Sequence, residues 1–517
     1  MREVAKRPGR TVAELMTSPA ITASPGETLG AAARRMAEAR VGSVVVLEEG
    51  RLAGILTERD LLSAGAAGVN PATGLVGEWM TSDPDVVEAD AETIEVWRSL
   101  AAHGYRHIPV VAGGELKGVV SLRDLVAVSQ LRPVDGVFAD VPKGLEGVVA
   151  AETAIGSVRG LEGFFHYRQY DATELARRRS FEEVWQLVFD GALPESEPEA
   201  ARFRHEVSQA RRLPPGFLAD LRALSRAAGG ARLLASLRTA ICLLGAREEM
   251  QATTDLGRPE ARRDALHLAA AMPVLATALY RASRGKEPIE PDPSLPTGAN
   301  YLYMLTGEVP SPERARAIER YLSLTVDHGL NASTFTARVV ASTGADLAAA
   351  VSAGMAALSG PLHGGAPSRA LDTLDAIGRP ERAEAYIRAA IESGERIMGF
   401  GHRVYKTPDP RAELMKATAR ELGGELVSFA EEVEATVVRL LKELKPDRQL
   451  YTNVEFYAGV VMELCGIPRP MFTPTFAVSR TVGWCAHTLE QVGDNRLIRP
   501  SSRYVGPPPP KPVPAGF

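Results

Sequence analysis

Gly399-Phe400-Gly401-His402-Arg403-Val404-Tyr405-Lys406-Thr407-Pro408-Asp409-Pro410-Arg411 is the stretch around which this sequence is organised. Two glycines bracket Phe400, so the backbone can turn sharply and pass close to a ligand. Pro408 and Pro410 forbid a regular helix interior or central strand. A rigid loop thus carries one imidazole and three cations, Arg403, Lys406 and Arg411, toward a polyanionic ligand. The pattern is not a dinucleotide fingerprint, because no Gly-x-Gly-x-x-Gly follows a strand and opens a helix. Taken alone it reads equally as a tight inter-helix loop with solvated charges, and the rest of the chain decides between the two.

The loop lies in a long helical region. From Glu174 onward apolar residues recur at helical spacing, first in Phe181–Phe189, then near 217–225, 233–244, 264–281 and 313–326. Segments such as Leu213-Pro214-Pro215-Gly216 separate them. Strand candidates are few, beyond a short hairpin region between Gly147 and Asp171, so the spacing predicts an all-α domain of many packed helices. The chain closes on a proline-rich tail, 506–517.

With 517 residues the chain has room for two or three domains and an ample core. A net charge of −5 without a basic stripe argues against a nucleic-acid partner. Cys242, Cys465 and Cys485 stand far apart with no Cys-x-x-Cys spacing, which fits a reducing compartment and excludes a disulfide framework or zinc ribbon. His103 and His107 lack a third ligand nearby, so no metal site is expected. No apolar segment follows the basic N-terminus, and the apolar run at 347–362 is short of a membrane span. A soluble, cytoplasmic protein is expected.

The N-terminal third contains an internal repeat. Val12-Ala13-Glu14-Leu15-Met16 answers to Val76-Gly77-Glu78-Trp79-Met80, and Gly54-Ile55-Leu56-Thr57-Glu58-Arg59-Asp60 answers to Gly118-Val119-Val120-Ser121-Leu122-Arg123-Asp124. The offset is 64, and each copy reads as amphipathic helix (29–39; 94–102), two strands and a closing helix. Two small α/β units related by a pseudo-twofold are implied. Over residues 11–130 the repeat resembles the tandem cystathionine-β-synthase (CBS) domain, which implies binding of an adenine nucleotide (AMP, ADP or ATP) and regulation of a neighbouring domain. Thr57 and Ser121 stand at helix N-termini, where a hydroxyl and free N–H groups can hold phosphate. Asp60 and Asp124, one turn in, can accept from ribose hydroxyls. The same spacing is also a capping-box variant, useful in any helix. Residues 131–145 read as a linker.

Beyond the linker, four motifs follow in order. They are Asp327-His328-Gly329-Leu330-Asn331-Ala332-Ser333, Gly360-Pro361-Leu362-His363-Gly364-Gly365-Ala366, the 399–411 loop, and Asn453-Val454-Glu455-Phe456-Tyr457-Ala458-Gly459. Ser479-Arg480 and Arg496-Leu497-Ile498-Arg499-Pro500 come after them. Histidines, a carboxylate and arginines on separate loops suit carbanion chemistry on an anionic substrate. A base removes a proton next to a carbonyl, a neutral donor holds the enolate oxygen, and cations hold carboxylates. These strings resemble the citrate synthase family over residues 146–505.

That resemblance implies a large helical domain, a small domain at about 330–460 that closes on substrate, and a homodimer or higher homo-oligomer. It implies acetyl-CoA as co-substrate, oxaloacetate as acceptor and no permanently bound cofactor. His328 would hold the thioester carbonyl, His402 would polarise the ketone, and Glu455 would stand in the place of the family's aspartate base. Arg411 and Arg480 would grip carboxylates, and Arg499 would reach the partner subunit's site. Gly399, Gly401, Arg403 and Lys406 would lie along coenzyme A. His363, in a glycine turn, reads as structural.

The sequence departs from the family pattern at three points. Thr452-Asn453-Val454-Glu455 replaces Pro-Asn-Val-Asp, and one extra methylene displaces the carboxylate by roughly 1 Å, enough to cost about 100-fold where geometry is strict. Arg232 stands where a substrate-binding histidine is common, either as another carboxylate clamp or pointing away. Gln169 replaces a glycine. Two other readings therefore stand beside citrate synthesis: a propionyl-CoA enzyme of the 2-methylcitrate type, or a nucleotide-sensing binding protein with weakened catalysis.

Overall fold

The computed structural model describes residues 11–39, 41–92, 96, 105–121, 143–145, 148–229, 232–361, 363, 366–395, 397–402, 405, 407–446, 450–502, 504–507 and 510. The chain forms two compact units, Met1–Ala150 and Ala151–Phe517.

In the first unit the repeat appears as matched strand registers. Strands β1 (Thr22–Ala23), β2 (Ser43–Glu48), β3 (Arg51–Thr57) and β4 (Thr81–Ser82) form one sheet, with helices α1 (Leu29–Ala39), α2 (Glu58–Ala66) and α3 (Val76–Trp79) alongside. Strands β5 (Val87–Glu88), β6 (His107–Ala112) and β7 (Glu115–Ser121) form the other. Val44, Val45 and Val46 are fully buried, as an uninterrupted apolar run predicts. Ser43 pairs with Thr57, and 64 residues later His107 pairs with Ser121. Each hairpin slips register at the same step, between Val46 and Leu47 and between Val110 and Val111.

The copies also exchange segments. Thr81, from the second copy, pairs with Ile55 of the first, and Thr17, from the first, bridges to Val119 of the second. Neither copy completes its sheet alone, which is the structural content of the pseudo-twofold. All but Val96 of the expected helix at 94–102, the closing helix that carries Asp124 and most of the 131–145 linker lie outside the described residues.

The second unit opens with a small antiparallel sheet, ordered β10 (Tyr170–Asp171), β9 (Phe164–Tyr167), β8 (Gly156–Arg159). Gln169 sits exposed in its tight turn, and it is Arg168, at φ 50°, that adopts the left-handed conformation, so position 169 does not require glycine. Helices then follow one another: α4 (Ala172–Arg178), α5 (Phe181–Asp190), α6 (Glu197–Ala210), α7 (Phe217–Ala227), α8 (Leu233–Arg247), α9 (Arg258–Ser283), α10 (Thr297–Thr306) and α11 (Pro312–Thr325). After these come α12 (Ala332–Ser342), α13 (Leu347–Leu358), α14 (Ala366–Ile377), α15 (Ala383–Glu392), α16 (Pro410–Leu422), α17 (Glu425–Leu444), α18 (Val454–Leu464) and α19 (Phe472–Gly493).

One continuous apolar core runs from Ile155 to Ala486. Its central members are α9 and α19, which pack together with residues such as Ala271, Leu275, Val482 and Trp484 fully buried. By length and composition α9 could cross a membrane, but most of its apolar window is buried among other helices, as in a core helix. It is a longer apolar element than the 347–362 run singled out from sequence, and its flanking Arg, Glu and His residues concealed it.

Candidate active site

His328 stands in the turn between α11 and α12. That turn is held close to α19, where a Cβ on Gly483 would meet the Val326 carbonyl at 2.1 Å, so only glycine fits. Downstream, Asn453 caps α18 by accepting from the Glu455 N–H at 3.1 Å. Its side chain also donates to the Gly401 carbonyl at 2.9 Å, and its own N–H donates to the Gly399 carbonyl at 2.9 Å. Gly401 N–H donates to Tyr451 at 2.7 Å. The glycine loop is therefore laced to the start of α18, and Gly399, at φ 88°, faces Phe456 too closely for a side chain. Arg403 and Lys406 lie outside the described residues.

These elements bring His328, His402, Tyr405 and Arg411 together. The His328 and His402 rings are 5.5 Å apart, edge to face, and the Tyr405 ring lies 5.6 Å from one and 4.9 Å from the other. His328 Nε2 and the Tyr405 hydroxyl share a hydrogen bond at 3.3 Å. His402 Nδ1 accepts from the Tyr405 N–H at 3.0 Å, and its Nε2 lies 3.3 Å from Arg411 Nη2. A neutral imidazole has one acceptor nitrogen. With Nδ1 taken by the backbone, Nε2 carries the proton and can donate it into the pocket. Two donors then face each other at Arg411, an arrangement that an anionic oxygen accepting from both relieves.

Arg411 is almost fully buried and paired with Asp409, its Nε donating to Oδ1 at 3.0 Å and Nη2 to Oδ2 at 2.8 Å. Asp409 also accepts from the Val454 N–H at 3.1 Å and caps α16. Burial works against both charges and each overrides it for the other: the Asp409 carboxyl is held below its ordinary range and Arg411 above its own. Arg480 is equally buried, donating Nε to the Thr325 carbonyl at 2.9 Å, with its guanidinium 4.5 Å from the Phe476 ring. It does not face solvent.

Burial, reinforced by Arg411, Arg480 and His402, pushes the His328 pKa well below its ordinary value, so the ring is neutral. Glu455 retains some accessible surface, but its Oε2 is sealed and has no hydrogen-bond partner among the described residues. Burial lifts its carboxyl to about 7, with Arg411 and Arg480 opposing and Asp409 adding to the rise. A neutral donor and a poised carboxylate beside two buried arginines form the acid–base set that proton abstraction next to a carbonyl needs.

Other expected residues are placed differently. Arg232 is exposed ahead of α8, and Arg499 is exposed in the segment after α19, so neither is brought to the cluster within the described contacts of this chain. His363 shares a hydrogen bond with Ser333 Oγ at 2.8 Å. Asp327, which could have been a core partner for His328, instead pairs with His487 at 3.1 Å. Asp409 carries a role that the loop's glycines and cations do not announce; its signal in the sequence is Asp before Pro before Arg, an N-cap followed by proline at the first helical position.

The first unit contains a cavity of about 380 Å³ lined by Thr57, Glu58, Asp60 and Asp83, Asp85, Arg106 and His107, so both copies contribute to it. Thr57 N and Oγ1 donate to Asp60 Oδ2 at 2.8 and 2.7 Å, a closed capping box. The helix-capping reading is thus present in the structure, and Asp60 Oδ1 stays outside it. Ser121 ends β7, and Asp124 is outside the described residues.

Fold and cluster together define a class, a mainly helical enzyme with neutral imidazoles and a carboxylate set against buried arginines. The family model described as "Citrate synthase, C-terminal domain" matches residues 144–501, and that of the CBS domain matches 12–67 and 76–130. "Citrate synthase 2" of Bacillus subtilis is 40% identical over 366 residues, covering 71% of this chain and 96% of its own. The citrate synthase of Haloferax volcanii is 40% identical over 372 residues, covering 71% and 96%. Among solved structures, the Pyrobaculum aerophilum citrate synthase superposes with a TM-score of 0.67 at 38% identity, over 72% of this chain and 94% of that one. The Thermoplasma acidophilum enzyme, solved in ternary complex with carboxymethyl coenzyme A and oxaloacetate, gives 0.66 at 31% identity, over 72% and 98%. The chain belongs to the citrate synthase family and carries a tandem CBS pair ahead of the enzyme.

Proposed function

We propose that this protein condenses acetyl-CoA with oxaloacetate to give citrate and free coenzyme A, under control of an adenine nucleotide at the CBS pair. Glu455 takes a methyl proton while neutral His328 donates a hydrogen bond to the thioester oxygen. The resulting carbon nucleophile attacks the ketone that His402 Nε2–H polarises, and water then hydrolyses the thioester. Arg411 and Arg480 hold the keto acid's carboxylates, Arg403 and Lys406 pair with coenzyme A, and a small domain near 330–460 closes over both. Arg499, exposed in its own chain, serves the partner's site in a homodimer or higher oligomer.

The observation that carries this reading is the neutral His328 edge-to-face with His402 beside buried Arg411. Purified protein is expected to release thiol only when acyl-CoA and oxaloacetate are both present. Assays with acetyl-CoA and propionyl-CoA decide between the citrate and 2-methylcitrate readings. No keto-acid-dependent thiol above a His402→Ala control, with either, would leave a nucleotide-sensing protein.

The regulatory half rests on the 380 Å³ cavity, whose size suits a small ligand and which holds Thr57 and Asp60. Calorimetry with AMP, ADP and ATP is expected to show binding that weakens sharply in an Asp60→Ala, Asp124→Ala double variant. Because Asp60 also caps α2, the variant should melt lower by an amount in keeping with about 0.5–2 kcal/mol per lost cap. A lower melting point with unchanged nucleotide affinity would reduce the motif to capping.

A further inference from the structure

Behind the turn that carries His328 runs a chain of buried polar groups that the reaction above does not use. Asp327, 1% exposed, accepts from the Gly329 N–H through Oδ2 at 3.0 Å and faces His487 Nε2 through Oδ1 at 3.1 Å. His487, on α19, is fully buried, and its Nδ1 lies 3.2 Å from Arg338 Nη1 on α12. Arg338 also donates to Glu490 Oε2 at 2.6 Å and to Gln491 Oε1 at 3.0 Å. Glu490 Oε1 accepts from the Ala154 N–H at 2.7 Å, tying the chain to the segment before β8.

The partners fix the histidine's tautomer. A guanidinium has no acceptor, so His487 Nδ1 must accept from Arg338, and Nε2 must carry the proton donated to Asp327. One turn earlier on the same helix is Gly483, the residue that lets α19 lie against the Val326 carbonyl. Helix α19 therefore grips the 326–329 turn twice, by close backbone contact and by an imidazole. Buried ion chains of this kind are weak devices for stability, because packed apolar residues do as well. What a fully satisfied one provides is a single geometry.

We propose that His487 is a positioning residue for the condensation: through Asp327 it sets the turn so that His328 faces the thioester oxygen. The proposal rests on the reading that His328 stabilises the enolised acyl group. It predicts that loss of His487 slows enolisation and leaves the keto-acid half-site, built from His402, Arg411 and Arg480, in place, because the Asp327 charge that faces Arg480 is kept.

Two substitutions separate the ends of the imidazole. His487→Asn keeps an acceptor near Nδ1 for Arg338 and cannot reach Asp327, while His487→Gln places an amide N–H near Nε2 and can. The Asn variant is expected to lose about 10- to 100-fold in kcat, the scale of a small misplacement. Exchange of acetyl-CoA methyl protons in D2O should fall by the same factor, and oxaloacetate affinity by calorimetry should stay at the wild-type value. The Gln variant should recover most of the rate. If the Asn variant does not fold, Asp327→Asn, of the same shape, should show the same fall in kcat and in methyl-proton exchange, and any change in keto-acid affinity there reports on Arg480, which faces the Asp327 charge. Equal melting-point losses in the Asn and Gln variants with wild-type kcat in both would overturn the proposal and leave a scaffold. A wild-type protein inactive with every acyl-CoA would overturn the condensation reading and this proposal with it.

Discussion

Glu455→Gln is expected to lose at least about 100-fold in kcat/KM with acetyl-CoA, the scale of a missing general base. Gln keeps the size of the side chain and its place beside Asn453 but cannot take a proton. The wild-type pH profile should show the same group. Burial lifts the Glu455 carboxyl to about 7, and only the ionised form is a base, so kcat/KM should rise about tenfold per unit below pH 7 and level above it. Stability should run the other way. The folded protein holds this proton to a higher pH than the unfolded chain does, so stability is lost as pH rises from the ordinary carboxylate range through 7. Glu455→Gln removes that loss, so the variant should melt above wild type at pH 8, with the gap closing by pH 5. Glu455→Asp should also slow turnover, because the laced Gly399–Gly401 loop and the Asn453 cap hold the backbone for the longer arm. A Gln variant that runs at wild-type rate on acetyl- and propionyl-CoA would assign the proton to another group.

The features legible in the sequence were those set by local chemistry. A 64-residue repeat became two hairpins with equal registers and equal bulges, because each copy sets a buried apolar run opposite the same glycine, Val46 against Gly54 and Val110 against Gly118. Helix α1 spans Leu29–Ala39 as its spacing predicts, and Asn453 caps α18 as Asn before an apolar run should. Nothing local marks the contacts made by distant segments. The Asp327–His487 pair joins residues 160 apart, and the Phe165 ring, 6.1 Å from His328, comes from the small sheet. The raised pKa of Glu455 is likewise a product of burial, which a Val-Glu-Phe string does not announce. Arg232, at a familiar place in the string, stands exposed at a helix start in this chain.

Arg411→Ala is expected to raise the dissociation constant of oxaloacetate about 30-fold or more, from the 2–5 kcal/mol lost when one side of a buried hydrogen-bonded charge pair is removed. The same change should destabilise the protein, because among the described residues Asp409 is left buried with only the backbone N–H groups of residue 411 and Val454 as partners. An uncompensated buried charge costs about 3–5 kcal/mol. The two effects can be separated. Adding Asp409→Asn removes the stranded charge and should recover much of the melting temperature, while affinity stays low because no cation returns. The pH dependence supplies a further check. Arg411 holds the Asp409 carboxyl below its ordinary range, so the pair's contribution is complete at neutral pH and is lost as pH falls through that depressed value. Wild type should therefore lose its stability advantage over the double variant on acidification. Arg411→Lys should bind weakly as well, since an ammonium cannot span both Asp409 oxygens and still present a donor to a substrate carboxylate. If the double variant binds oxaloacetate as wild type does, Arg411 serves only to neutralise Asp409, and the carboxylate grip belongs to Arg480.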